Sequence, residues 1–149
     1  MNNQSKKVYA IIPSAGSGTR FDATLPKQYF NINEELIIEK TINQFLKIDE
    51  IEKIIVPVGE QDKIFSNLEI AKNKKVISVL GGKTRAESVL HALETVRENS
   101  LVVVHDAVRP FISTDMIKNL VKNFDEKTDD ALIYGIPIYE ALKKIDPDT

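Results

Sequence analysis

Four short segments of this sequence hold residue types that can act together on an anionic ligand. Pro13-Ser14-Ala15-Gly16-Ser17-Gly18-Thr19-Arg20 carries two glycines and an arginine, and Pro26-Lys27-Gln28 a lysine. Gly81-Gly82-Lys83-Thr84-Arg85 adds a glycine pair with two cations, and His105-Asp106-Ala107-Val108-Arg109-Pro110 an imidazole, an acid and an arginine. Glycines at 16 and 18 let backbone amides approach phosphate oxygens without side-chain interference, while Arg20 and Lys27 supply fixed positive charge. Asp106 ends a run of valines, where a carboxylate can reach into a crevice and hold a hard cation such as Mg²⁺ together with substrate phosphates. The same carboxylate can instead cap the next turn or pair with Arg109. His105, at a strand terminus, reads as a packed, hydrogen-bonded imidazole rather than a base, and His91 as structural or solvated.

Two familiar phosphate-binding motifs are imitated and fail. The dinucleotide fingerprint Gly-x-Gly-x-x-Gly has Phe21 at its third glycine, and the following segment reads as a long loop rather than a helix. Gly82-Lys83-Thr84 copies the end of a P-loop, but Ile77 stands where its leading glycine belongs. Gly81-Gly82 taken alone reads as a turn with solvated basic neighbours; a loop holding two glycines, Arg20 and Lys27 does not. No second carboxylate, serine–histidine pair or histidine cluster forms a hydrolase or zinc site. The absence of cysteine excludes disulfides, thiolate metal sites and a cysteine nucleophile, and fits a reducing cytoplasm.

Buried strands are expected to position these loops. Val8–Ile12, Lys53–Val58, Val76–Leu80, Leu101–His105 and Ala131–Ile136 are short apolar, β-rich runs, and their near-continuous hydrophobicity predicts a parallel sheet covered on both faces. Between them, Ile38, Ile42, Phe45 and Leu46 share a helical face, as do Val89, Ala92, Leu93 and Val96, and Ile117, Leu120, Val121 and Phe124. Thr84 with Glu87 makes a capping box, and Ser113-Thr114-Asp115 offers further caps. A shorter helix is expected between Glu60 and Asn73. Strand alternating with helix predicts an α/β, doubly wound, mainly parallel Rossmann-like sheet with ligands beyond the carboxyl ends of its strands.

The chain has 149 residues, 42% hydrophobic and 28% charged, which describes one globular domain able to fold without staples. A formal net charge of -2 argues against holding nucleic acid by bulk positive potential, so an anionic ligand must be held by local charges. No stretch reaches the roughly 20 apolar residues of a membrane span.

These segments together, with Tyr29 after Gln28 and Ala86-Glu87-Ser88-Val89 after Arg85, resemble the 2-C-methyl-D-erythritol 4-phosphate cytidylyltransferase family. Matching blocks in the same order span nearly the whole chain. The related ribitol-5-phosphate cytidylyltransferases share the glycine loop and His-Asp-Ala-Val-Arg-Pro; Glu87-Ser88-Val89 favours the methylerythritol branch. The resemblance implies a nucleotidyltransferase fold and transfer of a cytidylyl group from CTP to a sugar-alcohol phosphate, with release of pyrophosphate. It implies nucleotide-binding roles for Pro13, Ser14, Ala15, Gly16, Gly18, Gly82, Lys83 and Ser88, and a catalytic pair in Arg20 and Lys27. Asp106 matches a Mg²⁺ ligand, while Arg109 and Ala107 lie toward the acceptor. A cytoplasmic homodimer is expected of the complete protein, with no nucleic-acid or membrane partner.

Two departures accompany the resemblance. Pro137-Ile138-Tyr139-Glu140-Ala141-Leu142-Lys143 matches a segment that usually reads Pro-Val-x-Asp-Thr-Ile-Lys, so Ala141 replaces a threonine expected at the acceptor and Glu140 lengthens an aspartate. Complete members also continue well beyond Thr149, with a second metal-site acid, an acceptor-site lysine and much of a dimerising arm. Residues 137–149 are expected to begin that arm. A non-catalytic nucleotide-binding module is the alternative reading of the chain as it stands.

Overall fold

The structure, a computed structural model, describes residues 7–16, 25–135 and 137. In chain order its elements are β1 (Val8–Ile11), β2 (Asn31–Ile32), β3 (Glu35–Leu36), α1 (Ile37–Leu46), β4 (Ile51–Val58), β5 (Val76–Leu80), α2 (Arg85–Leu93), β6 (Leu101–Val104) and α3 (Thr114–Asn123). Four strands form one sheet in the order β5-β4-β1-β6, every pair parallel.

The two-residue period of the strands divides the core. Val8 and Ala10 of β1, with Ile54 and Val56 of β4, face a larger cluster that takes in Ile38, Ile42 and Phe45 of α1 and Ile117 of α3. Tyr9 and Ile11, with Ile55, face a smaller cluster closed by Ala92 of α2 and by Val89 and Val96. Burial on both faces is why β1 and residues 54–56 of β4 are apolar without alternation, whereas β5 and β6 depart from the expected cover, with Ile77, Leu80 and Val104 exposed.

Each helix is specified locally. In α1, Ile38, Thr41, Ile42 and Phe45 are buried, the spacing of a single face. At the start of α2 the Thr84 hydroxyl accepts from the Glu87 amide at 3.1 Å, and the Glu87 carboxylate accepts in return from the Thr84 amide at 3.1 Å. Ser113 caps α3 by accepting from the Met116 amide at 3.2 Å.

Four features differ from the sequence-based expectation. Residues 131–135 form no strand, and Ile133 is 83% exposed. A turn at Asp125, where the Thr128 and Asp129 amides donate to its carbonyl, redirects the chain, and the Tyr134 hydroxyl ties the segment to the Met116 carbonyl of α3 at 2.6 Å. An apolar run cannot by itself specify a strand. The expected helix between Glu60 and Asn73 is instead two short 3₁₀ turns, Phe65–Asn67 and Glu69–Lys72, separated by Leu68 in extended conformation. Their buried anchors, Phe65 and Ile70, are five residues apart, which an α-helix would set about 140° around its axis. Val96 lies beyond α2, although it still packs on the smaller cluster. Finally, β2 and β3 make an antiparallel hairpin inside the expected long loop, turned by Asn33 at φ 53° and Glu34 at φ 67°. Positive φ at both central residues is what a two-residue hairpin demands.

The connectivity fixes where a ligand can sit. The chain runs outward from β1 to β4 and β5, then returns to the far side of β1 as β6. This reversal opens a crevice at the carboxyl ends of β1 and β6, between the loops that follow them.

Candidate functional site

A cleft of about 400 Å³ occupies that crevice, lined by residues 13–16, Lys27, Gln28, residues 82–85, Ser88 and residues 106–108. It brings together Pro13, Ser14, Ala15, Gly16, Lys27, Gly82, Lys83, Ser88, Asp106 and Ala107 from separate parts of the chain. Arg109 is outside this lining but bonded to Asp106. Gly18 and Arg20 lie outside the described residues.

The start of the loop after β1 is pinned to the sheet. The Ser14 amide donates to the Pro57 carbonyl at 2.8 Å, extending the sheet one bridge beyond β1. Among the described residues, a Cβ built on Gly16 would meet nothing within 4 Å, so none of them crowds its backbone in the lining of the cleft. Gln28, buried within the 3₁₀ turn Lys27–Tyr29, donates its Nε2 to the Ser14 carbonyl at 2.8 Å and to the Gly16 carbonyl at 3.4 Å. One amide therefore fixes the loop's shape and, through the shared turn, sets Lys27 beside it. Sequence reasoning gave Gln28 no role; its signal was an uncharged polar side chain between Lys27 and the aromatic pair Tyr29-Phe30.

Tyr29 anchors this turn from below. Its hydroxyl donates to the Asp62 carboxylate, which also accepts from the Ile64 and Phe65 amides at 2.9 and 3.0 Å. Burial, reinforced by the Asp62 carboxylate, pushes the Tyr29 phenol well above its ordinary value of 10.0. The Ser14 hydroxyl, buried beside this phenol, has no well-aligned hydrogen-bond partner among the described residues.

Across the cleft, Gly81 and Gly82 do more than make a turn with solvated neighbours. A Cβ on Gly81 would lie 2.3 Å from Ala15 Cβ, and one on Gly82 would lie 2.2 Å from Glu87 Cβ. Only glycine lets the loop after β5 touch the loop after β1. Ser88, 2% exposed, accepts from the Gly82 amide at 3.0 Å and donates to the Thr84 carbonyl at 2.9 Å. The Lys83 and Thr84 amides both donate to Glu87, so these helix-terminal donors are already satisfied within the protein.

Asp106 is the one carboxylate among the described residues lining the cleft. Its Oδ1 accepts from Arg85 Nε at 2.9 Å and lies 2.9 Å from Arg85 Nη2, while Oδ2 lies 3.0 Å from Arg109 Nε. The pairing with Arg109, which the sequence offered as the alternative to a cation at Asp106, is therefore present, joined by a second guanidinium that sequence reasoning did not assign to Asp106. Among the described residues no group of three or more His, Cys, Asp or Glu could hold a metal ion. One carboxylate supplemented by ligand phosphates is nevertheless an ordinary donor set for Mg²⁺, and Asp106 fits it in kind. His105 packs on the Phe45 ring at 5.5 Å between centroids, with Nε2 3.0 Å from the Arg109 carbonyl oxygen. His91 Nδ1 lies 3.1 Å from the Leu80 carbonyl oxygen, outside the cleft lining. Among the described residues no helix is long and apolar enough to cross a membrane.

Comparison with known proteins joins this geometry to a family. The profile of IspD, 2-C-methyl-D-erythritol 4-phosphate cytidylyltransferase, matches residues 8–149. A protein of that name from Shewanella piezotolerans is 38% identical over 144 residues, covering 97% of this chain and 62% of the relative. One from Actinobacillus pleuropneumoniae is 37% identical with the same coverage. The crystal structure of 4-diphosphocytidyl-2C-methyl-D-erythritol synthase from Anaerococcus prevotii superposes with TM-score 0.78 at 26% identity, over 96% of this chain and 61% of that one. That of the Francisella tularensis 2-C-methyl-D-erythritol 4-phosphate cytidylyltransferase gives 0.72 at 30% identity, over 95% and 63%. The chain thus spans somewhat over three-fifths of the length of these relatives.

Proposed function

The chain belongs to the 2-C-methyl-D-erythritol 4-phosphate cytidylyltransferase family, and from that membership we propose that the whole protein transfers a cytidylyl group from CTP to 2-C-methyl-D-erythritol 4-phosphate, a step in non-mevalonate isoprenoid precursor synthesis. The observation that carries this reading is the convergence of Gly16, Lys27, Gly82, Ser88 and Asp106 on one cleft at the reversal of the sheet.

The cleft has two chemically different ends. On the α2 side, Glu87 already satisfies the Lys83 and Thr84 amides, so these two backbone donors are not offered to phosphate. Backbone groups around Gly82, set by Ser88, hold the cytosine and ribose there, and a narrow backbone-lined slot accepts a pyrimidine while excluding a purine. The triphosphate lies against residues 13–16, where Gly16 leaves room for it and Lys27 stands in the lining.

In the reaction an oxygen of the acceptor phosphate attacks the α-phosphorus of CTP. The bond from that phosphorus to the bridging oxygen breaks, and pyrophosphate leaves with the electron pair. No protein nucleophile is needed. Negative charge grows on the α-phosphate oxygens in the transition state, where the positive charges of Lys27 and Arg20 lower the barrier by electrostatic stabilisation. Asp106 would hold Mg²⁺, which when bound neutralises part of the triphosphate charge. Ala107 and Arg109 lie on the side from which the acceptor arrives. The reading extends to one nucleotide-binding domain, a homodimeric whole protein and a cytoplasmic location, the last supported by the absence of cysteine.

The test is pyrophosphate release by the protein at its relatives' length, with Mg²⁺ present. CTP with methylerythritol phosphate is expected to exceed CTP with ribitol 5-phosphate, and ATP or GTP with either acceptor. In the same assay Lys27→Met is expected to lower kcat by about a hundredfold or more, with a smaller loss of CTP affinity. Binding of CTP without pyrophosphate release would leave a nucleotide-binding module, and preference for ribitol phosphate would transfer the protein to the neighbouring activity.

A further inference from the structure

The contacts of Asp106 raise a question that the proposed reaction does not answer, namely how a carboxylate with both oxygens engaged can receive a cation. Arg85 reaches it from the first turn of α2 and covers Oδ1 with two nitrogens, each at 2.9 Å. Arg109 reaches Oδ2 from the turn after β6, at 3.0 Å. Two guanidiniums thus surround one carboxylate, in the position where a divalent cation would have to bind.

The two arginines are not equivalent. Arg109 is three residues from Asp106 in the same turn, whose backbone is closed by the Arg109 amide donating to the Asp106 carbonyl at 3.2 Å. Arg85 is twenty-one residues away and spans the cleft between two loops. It also sits next to the N-cap of α2, where the helix dipole disfavours a cation. Glu87, the acidic residue of that first turn, is engaged in the capping box. Asp106 is therefore the carboxylate that holds the Arg85 guanidinium, and the Arg85 side chain is 60% exposed, so the pair is solvent-screened and readily exchanged. Released from Asp106, Arg85 remains in the cleft lining that also contains Gly16 and Lys27, within the surroundings of a bound triphosphate.

We propose that Arg85 is an exchange residue: without ligand its guanidinium stands in for the divalent cation on Asp106, and when the metal–nucleotide complex binds it yields Asp106 to the cation and turns to the phosphates. This rests on the reading of the cleft as a CTP site. It assigns Arg85 a positioning role that keeps Asp106 oriented and protected from adventitious cations until nucleotide arrives. Coupling of metal and nucleotide follows, because each removes a partner that the other must displace.

Mn²⁺ serves as the probe, followed by electron paramagnetic resonance on this chain without nucleotide and then by calorimetric titration with CTP. Arg85→Met is expected to bind free Mn²⁺ several-fold more tightly than wild type, because its competitor is gone. It is expected to bind CTP in saturating Mn²⁺ about tenfold more weakly, having lost one charge-assisted phosphate contact. Arg85→Lys should fall between the two proteins in both measurements, and Asp106→Asn in the Arg85→Met background should abolish the tightened Mn²⁺ binding. A residue needed only for folding would weaken both affinities together. Equal or weaker Mn²⁺ binding by Arg85→Met overturns the proposal, as does Mn²⁺ binding that survives Asp106→Asn. Unchanged CTP affinity overturns the transfer of Arg85 to phosphate. The Mn²⁺ measurement uses no nucleotide, so a chain that preferred another nucleotide would defeat the CTP reading while leaving the exchange at Asp106 intact.

Discussion

Tyr29 shows how one buried hydroxyl can couple two loops. Its donation to Asp62 joins the turn carrying Lys27 and Gln28 to the segment after β4, and the same carboxylate receives the Ile64 and Phe65 amides. Replacing Tyr29 by Phe removes one bond and leaves two, so the expected cost at neutral pH is about 1 kcal/mol. The pH dependence has a definite sign. The folded-state phenol titrates above its ordinary value of 10.0, so the folded chain keeps its proton where the unfolded chain loses it. The associated stability is complete below the unfolded value and is lost as pH rises above it toward the folded one. Urea unfolding midpoints of wild type should fall more steeply above about pH 10 than those of Tyr29→Phe, narrowing the gap between them. Parallel curves would separate the hydroxyl from the alkaline transition.

Contact between the loops after β1 and β5 depends on the absence of one methyl group. Gly81→Ala would set its Cβ 2.3 Å from that of Ala15, with Ser88 Oγ at 3.1 Å and the Val58 carbonyl oxygen at 3.2 Å. We expect a loss of about 1–3 kcal/mol from this overpacking, together with weaker CTP binding as the loop of residues 13–16 is pushed into the cleft. Adding Ala15→Gly should restore part of both, since it removes the worst clash and leaves the two tighter polar contacts. Thermal melts and CTP titrations of the single and double variants check this, and strictly additive losses would remove the contact from the explanation. The same pair of loops shows what was legible in advance. Four of the five expected strands, the capping box of Thr84 and Glu87 and the faces of α1 and α3 were written in local periodicity, and so was the clustering of unusual residues in the loops; of the face expected for α2, Leu93 is 41% exposed and Val96 lies beyond the helix. The Gly81 contact, the Gln28 clamp and Arg85 on Asp106 join positions 66, 14 and 21 residues apart, respectively. No local pattern encodes such pairings. The expected strand at 131–136 failed for the converse reason: its composition was right, but the Asp125 turn and the tie from Tyr134 to α3 hold it out of the sheet.

For the whole molecule, binding and turnover should separate. The cleft proposed to take the nucleotide is lined by residues between 13 and 108, from loops already in contact through the packed sheet. The acceptor end proposed above is less provided for in these residues, because Ala141 stands where the resemblance expects a threonine hydroxyl. Along β6, moreover, a groove of about 600 Å³ runs beside Leu120, Val121, Phe124 and Ile133, and Val104 is 40% exposed, so this edge of the sheet keeps apolar surface in contact with water. A ligand that binds only the native state stabilises by RT ln(1 + [L]/Kd), about 1.4 kcal/mol at tenfold excess over Kd. For a domain of this size CTP with Mg²⁺ should therefore raise Tm by about 3–6 °C, while methylerythritol phosphate alone should add little. Pyrophosphate release by these 149 residues should remain far below that of the protein at its relatives' length. Calorimetric melts with each ligand and a turnover assay on the same preparation decide the matter. Turnover equal to that of the longer protein would mean that residues 1–149 already hold a working acceptor site, and that the cleft between β1 and β6 supports the whole reaction.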